Sequence, residues 1–448
     1  MSLVRASLRI LSRTKLYWGL ALICLIGALL SPETSSGRNI FLSYQNLTDV
    51  LRQVSITGLV ATGITIVILL GGIDLSVGSV MGCSSVICAM LLTKPGWTPA
   101  AIMGVPAATI AIAVGVGLVA RFVFNGLERG RDVEAGRRRE IVLGPWRGSR
   151  IPAALGLAAG VAAAAFAASQ VVAKFGVLAV LLVTPCFALA LGAINGALIV
   201  EGGLQPFIAT LAMMVSALGI GRLTGGQDFA VIPVYTGTNA TQAFEALRSM
   251  VWGVLPAPSL FFLVAIIFFG AILRFTTFGR YVYAIGGNVE AAKLSGVKVK
   301  QVQFAAYLIS SLLAGLAGVL FVAQYRQGKP DAGSGLELDA IAAVVIGGTS
   351  LMGGRGGLAG TFVGVLIFGL LSDILQLQNI DSNVQLLMKG LIIVGTVLVQ
   401  EQNLGQLMAR WRRQAPSPGP ARTRSAEAIR PPQAVMASKE REDIHEAS

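Results

Sequence analysis

Residues 258–323 contain two apolar stretches separated by a basic segment, and this arrangement decides the fold class. The first stretch, PSLFFLVAIIFFGAILRF, covers residues 258–275, and the second, QVQFAAYLISSLLAGLAGVLFVA, covers residues 301–323. Each is close to the roughly 20 apolar residues that an α-helix needs to cross a bilayer. The segment between them, TTFGRYVYAIGGNVEAAKLSGVKVK (276–300), is basic. Two membrane spans joined by a basic loop are therefore predicted here.

Composition extends this prediction to the whole chain. Of the 448 residues, 54% are hydrophobic and 13% are charged, and the mean hydropathy is +0.73. An average soluble domain has about 25% charged residues, so a soluble enzyme and a disordered chain are both excluded. At roughly 20 residues per crossing, the apolar residues suffice for about ten to twelve spans. We predict an all-α polytopic membrane protein, a bundle of about 10–12 transmembrane helices, some of them broken or re-entrant.

Twelve apolar segments account for this number of spans. Two of them, 75–92 and 339–352, are short or interrupted by glycine, which is typical of broken or re-entrant helices. The first segment follows a basic start, as in a signal peptide, but no clear cleavage site follows it, so we interpret it as an uncleaved span. The remaining segments lie at about 16–30, 51–70, 101–124, 151–173, 176–200, 206–221, 258–275, 301–323, 357–373 and 384–400.

The distribution of positive charge predicts the orientation. With the N-terminus in the cytoplasm, the alternation of spans places about three quarters of the 35 Lys and Arg residues on the cytoplasmic side, as the positive-inside rule requires. Both termini are therefore predicted to be cytoplasmic. The net charge of +13 is explained by this bias, and no nucleic-acid partner is expected.

Residues that carry covalent or metal chemistry are scarce. The single histidine is His445, and the four cysteines lie in apolar runs, so the sequence offers no Ser–His or Cys–His pair and no zinc cluster. The phosphate-binding pattern G-x-x-x-x-G-K-[ST] is absent from the sequence. We therefore predict no catalytic residue, no metal site and no cofactor bound by this chain, which would not itself be an enzyme.

Two glycine-rich segments interrupt the apolar pattern in a similar way. Residues 66–79 read IVILLGGIDLSVGS, and residues 342–355 read AAVVIGGTSLMGGR. Paired interruptions of this kind indicate broken helices near a transport pathway. A parallel internal repeat and a chance resemblance of glycine-rich strings both remain open. The candidate helix-break and pathway residues are Gly71, Gly72, Asp74, Gly347 and Gly348.

Asp74 lies inside the first of these interruptions. Its carboxylate precedes Leu75-Ser76-Val77, where it would favour the N-terminus of the next helix at the water boundary. The alternative is a substrate or ion ligand, since ionisable groups near membrane spans are often functional. We favour the cap.

The basic loop contains signals for one short helix. Asn288 can cap a helix over Val289–Leu294, Glu290 suits its first turn, and Gly296 supplies an exit. A short helix exposed between two spans must contact lipid headgroups or a partner protein.

At this point the sequence resembles a known family. Glu290-Ala291-Ala292, three further residues and Gly296 match the EAA-x-x-x-G pattern of ABC importer permeases, in which this helix couples the permease to its ATPase. Three longer motifs are similar to the ribose/xylose/galactose branch: GGIDLSVGS (71–79), GRYVYAIGGNVEAAKLSGVKV (279–299) and GLELDAIAAVVIGGTSLMGG (335–354). The resemblance implies a permease subunit that moves a monosaccharide, pentose or hexose, by alternating access, while ATP and Mg are used by the partner.

The same resemblance implies partners and a domain layout. The partners are an ABC ATPase subunit, a periplasmic sugar-binding protein, a second permease copy in a homodimer, and the lipid of the bacterial inner membrane. The compact family members have no counterpart for an extra hairpin, so an insertion is predicted. The layout is N-terminal permease spans at 1–92, an inserted hairpin with an Arg-rich cytoplasmic loop at 93–175, a permease core at 176–400 with the coupling helix at 288–296, and a disordered cytoplasmic tail at 401–448.

The main alternative is an ion-coupled secondary carrier for a small polar solute. Such a carrier needs ionisable groups that face its cavity, and Lys389 and Asp74 are the candidates in this sequence. A passive channel is a further alternative.

Overall fold

A computed structural model describes most of the chain. Four predicted features lie outside the described residues: the span at 101–124, the span at 151–173, the loop between them and the tail beyond residue 401. The described residues are 15–93, 177–225 and 231–401.

Helices dominate this part of the chain, as predicted. About 74% of it is helical, and its strands are two residues long. The helices are α1 (Lys15–Leu30), α2 (Tyr44–Leu69), α3 (Val77–Thr93), α4 (Val177–Val200), α5 (Pro206–Gly225), α6 (Ala257–Phe275), α7 (Thr277–Gly287), α8 (Val289–Leu294), α9 (Val299–Tyr325), α10 (Leu336–Ile346), α11 (Leu358–Leu377) and α12 (Ser382–Glu401). The strands are β1 (Ile232–Pro233), β2 (Met250–Val251), β3 (Leu255–Pro256) and β4 (Gln327–Gly328).

Six of these helices are long and apolar enough to cross a membrane: α2, α4, α5, α6, α9 and α11. Two more, α1 and α3, are apolar but shorter. The prediction of an all-α polytopic membrane protein is therefore confirmed. The predicted segment 339–352 differs from the observed helix, because Gly347 and Gly348 end α10 at Ile346 and residues 347–357 are not helical.

Small residues allow the central helices to approach closely. A Cβ atom on Gly63 of α2 would lie 2.8 Å from the Cα atom of Ser310 on α9, and one on Gly192 of α4 would lie 2.8 Å from the Tyr307 carbonyl oxygen. Where lipid provides no hydrophobic drive, such close backbone packing holds helices together. It places α2, α3 and α4 around α9 in the middle of the bundle.

The first helix is part of this bundle. Gly19 of α1 packs on Ile367 of α11, and Gly27 lies against the ring of Phe41, which is buried. The side chain of Gln378 donates a hydrogen bond to the Leu30 carbonyl. These contacts agree with the interpretation of the first apolar segment as a span.

Residues 231–256 form a small lobe that contacts α2, α3, α6 and α9. Antiparallel pairing joins β1 to β4 and β2 to β3, and a 3-10 helix, Gln242–Leu247, lies between β1 and β2. The Glu245 carboxylate accepts hydrogen bonds from Thr236 (2.8 Å) and from Arg326 at the end of α9 (3.0 Å). The Thr236 hydrogen bond and the charge of Arg326 lower the pKa of Glu245. The lobe is thus tied to α9 by a charged hydrogen bond.

Candidate coupling helix and glycine breaks

The short helix α8 has the bounds and both caps that the sequence predicts. The Asn288 side chain accepts a hydrogen bond from the Ala291 N–H (3.0 Å), which satisfies one free donor of the first turn. Gly296 follows the helix at φ +80°, and the Val297 N–H donates to the Ala292 carbonyl (3.0 Å). This is a Schellman motif, in which a left-handed glycine terminates the helix. Local sequence alone therefore fixes both ends of α8.

One side of α8 faces the bundle and the other faces outward. Ala292 is buried, while the Glu290 side chain is 76% exposed and Leu294 is 90% exposed. Glu290 pairs with Lys293 at 2.7 Å along the helix. The predicted coupling residues Glu290, Ala291, Ala292 and Gly296 are therefore together on one turn and its exit, and three of them are exposed.

The preceding helix, α7, connects α8 to the two glycine breaks. The sequence did not predict α7, which begins at a Thr276 cap and ends at Asn288, the cap of α8. A Cβ atom on Gly286 of α7 would lie 2.5 Å from the Gly354 nitrogen and would also meet the Leu69 carbonyl. The Gly354 N–H donates to that same Leu69 carbonyl at 2.9 Å. We call this contact between α7, the end of α2 and the second break the glycine junction.

The two breaks have the same helix-terminating motif. At the end of α2, Gly71 has φ +80°, and the Gly72 N–H donates to the Val67 carbonyl (3.0 Å). At the end of α10, Gly348 has φ +86°, and the Thr349 N–H donates to the Val344 carbonyl (3.2 Å). Both are Schellman motifs. The left-handed residue is the first glycine of the pair at 71–72 but the second glycine of the pair at 347–348. When the two Gly-Gly pairs are aligned, the structural motifs are therefore offset by one residue.

The breaks also touch each other, which the sequence did not indicate. A Cβ atom on Gly353 would lie 2.8 Å from the Gly71 nitrogen and 3.1 Å from the Gly286 carbonyl oxygen. The Tyr283 hydroxyl of α7 donates to the Gly356 carbonyl at 3.0 Å. Both breaks therefore lie at the end of the bundle that carries α8, hereafter the α8 end. Gly347 instead packs on Gly360, within the α10–α11 hairpin.

Asp74 lies deeper than a water-boundary cap would. Its exposure is 0%, and its carboxylate accepts hydrogen bonds from the Ser76 N–H (3.0 Å), the Ser76 hydroxyl (2.6 Å) and the Ser310 hydroxyl of α9 (2.8 Å). Asn195 of α4 donates to the Ser76 hydroxyl at 2.9 Å. Asp74 does precede α3, but the prediction that it lies at the water boundary is wrong, because its side chain is buried. Its carboxylate joins the first break to α4 and α9 through a buried polar network.

The second break has no such network. Thr349 is 0% exposed, and its hydroxyl has no hydrogen-bond partner among the described residues. The break instead folds on itself, with the Ser350 N–H donating to the Arg355 carbonyl at 3.0 Å. The sequence analysis did not identify Asn195, Ser310 or Gly286 as functional residues. One signal was available for the Asp74 network: Asn195 is a polar residue inside the apolar run LGAINGALIV (191–200).

The chain is similar to several curated transport proteins. It is 33% identical over 387 residues to the ribose import permease protein RbsC of Bacillus subtilis (strain 168), which covers 86% of this chain and 92% of that protein. With RbsC of Escherichia coli K12 it shares 33% identity over 367 residues, 81% of this chain and 87% of the relative. With the xylose transport system permease protein XylH of E. coli K12 it shares 30% identity over 384 residues, 79% of this chain and 84% of the relative.

A family profile gives the same assignment. The family described as "Branched-chain amino acid transport system / permease component" matches residues 46–127 and 153–397, more than half of the chain. The match leaves out residues 128–152, so the extent of the inserted hairpin at 93–175 stays a prediction. No solved structure matches the chain. The chain therefore belongs to this permease family, in the branch of ABC importer permeases that contains the ribose and xylose permeases, and it is a multi-pass inner-membrane transport component that is not itself an enzyme.

Proposed function

We propose that the chain is the permease subunit of an ABC importer that moves a monosaccharide, a pentose or hexose, across the inner membrane by alternating access. Its relatives are named for ribose and xylose transport. The observation that carries the proposal is the capped, outward-facing helix α8, which is attached through α7 to the glycine junction. This arrangement connects an exposed protein-binding surface to the ends of the central helices.

In this proposal, α8 is the coupling helix that receives the force of ATP hydrolysis. Separate ATPase subunits use ATP and Mg, and they contact Glu290, Ala291 and Leu294 on the exposed side of α8. Because Gly286 and Gly354 are in direct backbone contact with α2, a displacement of α8 moves both glycine breaks. Gly71, Gly72, Asp74, Gly347 and Gly348 then lie where the helices bend between outward- and inward-facing states.

The remaining partners and the layout follow from the same proposal. A periplasmic sugar-binding protein delivers the solute, and a second copy of the chain forms a homodimer. Both termini are cytoplasmic, so α8 faces the cytoplasm. The units are the spans at 1–92, the inserted hairpin at 93–175, the core at 176–400 and the tail at 401–448.

A transport assay tests the substrate. The chain is reconstituted with the ATPase and binding protein encoded beside it, and ATP-dependent uptake is measured for labelled ribose, xylose, galactose and leucine. Leucine represents a second candidate, because the family description names branched-chain amino acids. Uptake of a pentose or hexose supports the proposal, and uptake of leucine alone contradicts it.

Variants of α8 test the coupling role. The double variant Glu290→Ala, Gly296→Ala removes an exposed charge and places a Cβ atom at φ +80°. We expect uptake and ATPase co-purification to fall about tenfold or more, as for the central residues of a protein interface. The matched control is Glu201→Ala, which removes an exposed carboxylate outside α8. Normal uptake by the double variant, or an equal loss in the control, would contradict the coupling role.

An ion-coupled secondary carrier is the competing function. Two observations favour it: the buried Asp74 carboxylate and the ion pair between Lys389 of α12 and Asp339 of α10, whose charged atoms are 2.8 Å apart. Ionisable groups inside membrane proteins often form ion pathways. Uptake by the reconstituted chain alone, driven by a proton or sodium gradient without an ATPase, would replace the ABC importer with this carrier.

A further inference from the structure

A non-helical segment, residues 329–335, folds back into the bundle between β4 and α10. It follows a stripe of small residues along α3. Gly328 packs on Ala89, the Lys329 N–H donates to the Ser85 hydroxyl (3.0 Å), the Pro330 carbonyl lies against Gly82, and Gly333 lies against Gly78. Since residues 78, 82, 85 and 89 share one face of a helix, the segment runs beside α3 toward its N-terminal end.

Because residues 329–335 run along α3, they reach a depth inside the membrane. Gly78 is 15 residues from Thr93, the last residue of α3, which is about 22 Å at 1.5 Å per residue. The hydrocarbon core of a bilayer is about 30 Å thick. Residues 331–335 therefore lie well below the outer end of α3. Lys329 lies beside Ser85, eight residues or about 12 Å from that end, although the charge pattern alone predicts that Lys329 is outside the membrane.

The segment carries charges that remain exposed at this depth. Lys329 and Asp331 form an ion pair with charged atoms 3.4 Å apart, and their side chains are 40% and 47% exposed. Ser334 is exposed as well. The charged groups continue into α10, where Asp339 pairs with Lys389.

Lipid is not a suitable environment for this surface. Non-helical backbone at membrane depth is tolerated only where it is buried in protein or lines a water-filled cavity, and exposed charges at that depth face water or a partner. We infer that Lys329, Asp331 and Ser334 line the aqueous pathway of the solute. This inference rests on the proposed function and adds the residues that contact the solute.

The chemistry of the segment suits a neutral solute with several hydroxyl groups. A carboxylate accepts hydrogen bonds from hydroxyls, an ammonium group donates to them, and a serine hydroxyl does both. Because Lys329 pairs with Asp331 and Asp339 pairs with Lys389, the remaining charge of this surface is that of Glu337, a half-buried carboxylate that accepts a hydrogen bond from the Gly335 N–H.

Cysteine labelling tests the inference without relying on transport. The four native cysteines are replaced, and Ser334→Cys, Ser36→Cys and Ile267→Cys are each introduced into the full complex in right-side-out and inside-out vesicles. The reagent is a permanently charged methanethiosulfonate. Ser36 is in the exposed loop after α1, and Ile267 is 62% exposed on the apolar surface of α6. We expect Ser334→Cys to react at least about tenfold faster than Ile267→Cys, because hydrocarbon excludes the charged reagent.

Two further measurements complete the test. Labelling of Ser334→Cys should abolish solute uptake, and labelling of Ser36→Cys should leave it unchanged. Asp331→Asn should raise the KM for the solute about tenfold, the cost of one charged hydrogen bond. A reaction rate at Ser334→Cys no higher than at Ile267→Cys, or normal uptake after labelling, would overturn the inference. If the parent complex transports no sugar, the proposed function fails, but the comparison of labelling rates still stands.

Discussion

The two glycine breaks end their helices with the same motif, but they are held in different ways. The first break is held from inside, through the hydrogen bonds of Asp74 to Ser76, just before α3, and to Ser310 of α9. The second is held through its backbone, with the Gly354 N–H on the Leu69 carbonyl and Gly353 against Gly71. The first break is therefore held by side-chain hydrogen bonds, whereas the second is held by close backbone contacts that only glycine allows. The comparison shows two similar helix ends that differ in what holds them: a buried carboxylate at the first and backbone contacts at the second.

Removal of the Asp74 carboxylate should have the largest effect. Asp74→Ala leaves the Ser76 N–H and the Ser76 and Ser310 hydroxyls without their acceptor inside the bundle. We expect a loss of about 3 kcal/mol in stability, since buried donors that lose their partner bear the full cost of desolvation. Thermal unfolding in detergent measures it.

The matched control for Asp74 is Asp49→Ala. Asp49 is 51% exposed and pairs with Arg52 at 3.0 Å, so its removal should cost about 0.5 kcal/mol. Equal melting temperatures for the two variants would show that the first break does not depend on its carboxylate.

The glycine junction should be the next most sensitive place. Gly286→Ala puts a methyl group against the Leu69 carbonyl and the Gly354 nitrogen, whereas a methyl group at the neighbouring Gly287 meets no atom within 4 Å. We expect Gly286→Ala to cost about 2 kcal/mol, and Gly287→Ala less than about 0.5 kcal/mol. ATP-dependent uptake should fall only in Gly286→Ala. If both variants transport alike, the junction is not part of the coupling route.

The buried hydroxyl of the second break should be dispensable. Thr349→Val removes a hydroxyl that has no partner among the described residues, so stability should stay within about 0.5 kcal/mol or rise. Thr361→Val breaks a hydroxyl pair with Thr65 at 2.8 Å and should cost about 1 kcal/mol. Melting temperatures of the two variants distinguish them, and a larger loss at Thr349 would contradict the view that this break has no polar network.

The smallest effect on stability should occur in the lobe formed by residues 231–256. Because folding lowers the pKa of Glu245, its contribution to stability is present above the ordinary pKa of a glutamic acid, about 4.3, and is lost as the pH falls through the folded value. Trp252, 83% exposed on the β2–β3 hairpin, is a suitable fluorescent reporter. We expect its emission to change in acid in the parent chain and not in Glu245→Gln.

The parts of the fold that depend on residues adjacent in the sequence could be predicted from it. The bounds of α8 follow from Asn288 and Gly296, which act on the residues next to them. The apolar segments predict most of the described membrane helices to within a few residues. The exceptions are α2, which begins seven residues before the predicted start, and α10, which the glycine pair ends at Ile346; α7 was not predicted. Composition and length decide these features before any tertiary contact forms.

The contacts between distant segments could not be predicted. Nothing in the sequence pairs Gly353 with Gly71 or Ser310 with Asp74, because these pairs depend on how the helices pack. The same holds for the burial of Asp74: its position before α3 is a local property, but its depth is set by α4 and α9. Alignment of the two segments on their Gly-Gly pairs also does not superpose the left-handed residues, Gly71 and Gly348, which differ by one position.

The hydrogen bond from Gly354 to Leu69 has a consequence for biogenesis. The Leu69 carbonyl at the end of α2 accepts its hydrogen bond from Gly354, which lies in the last quarter of the chain. The ribosome synthesises this residue long after α2. Until then, this end of α2 holds an acceptor that its own helix does not satisfy. A chain interrupted before residue 354 would lack that donor, so the Leu69 carbonyl would stay without it. The end of α2 is thus completed only once residue 354 has been synthesised.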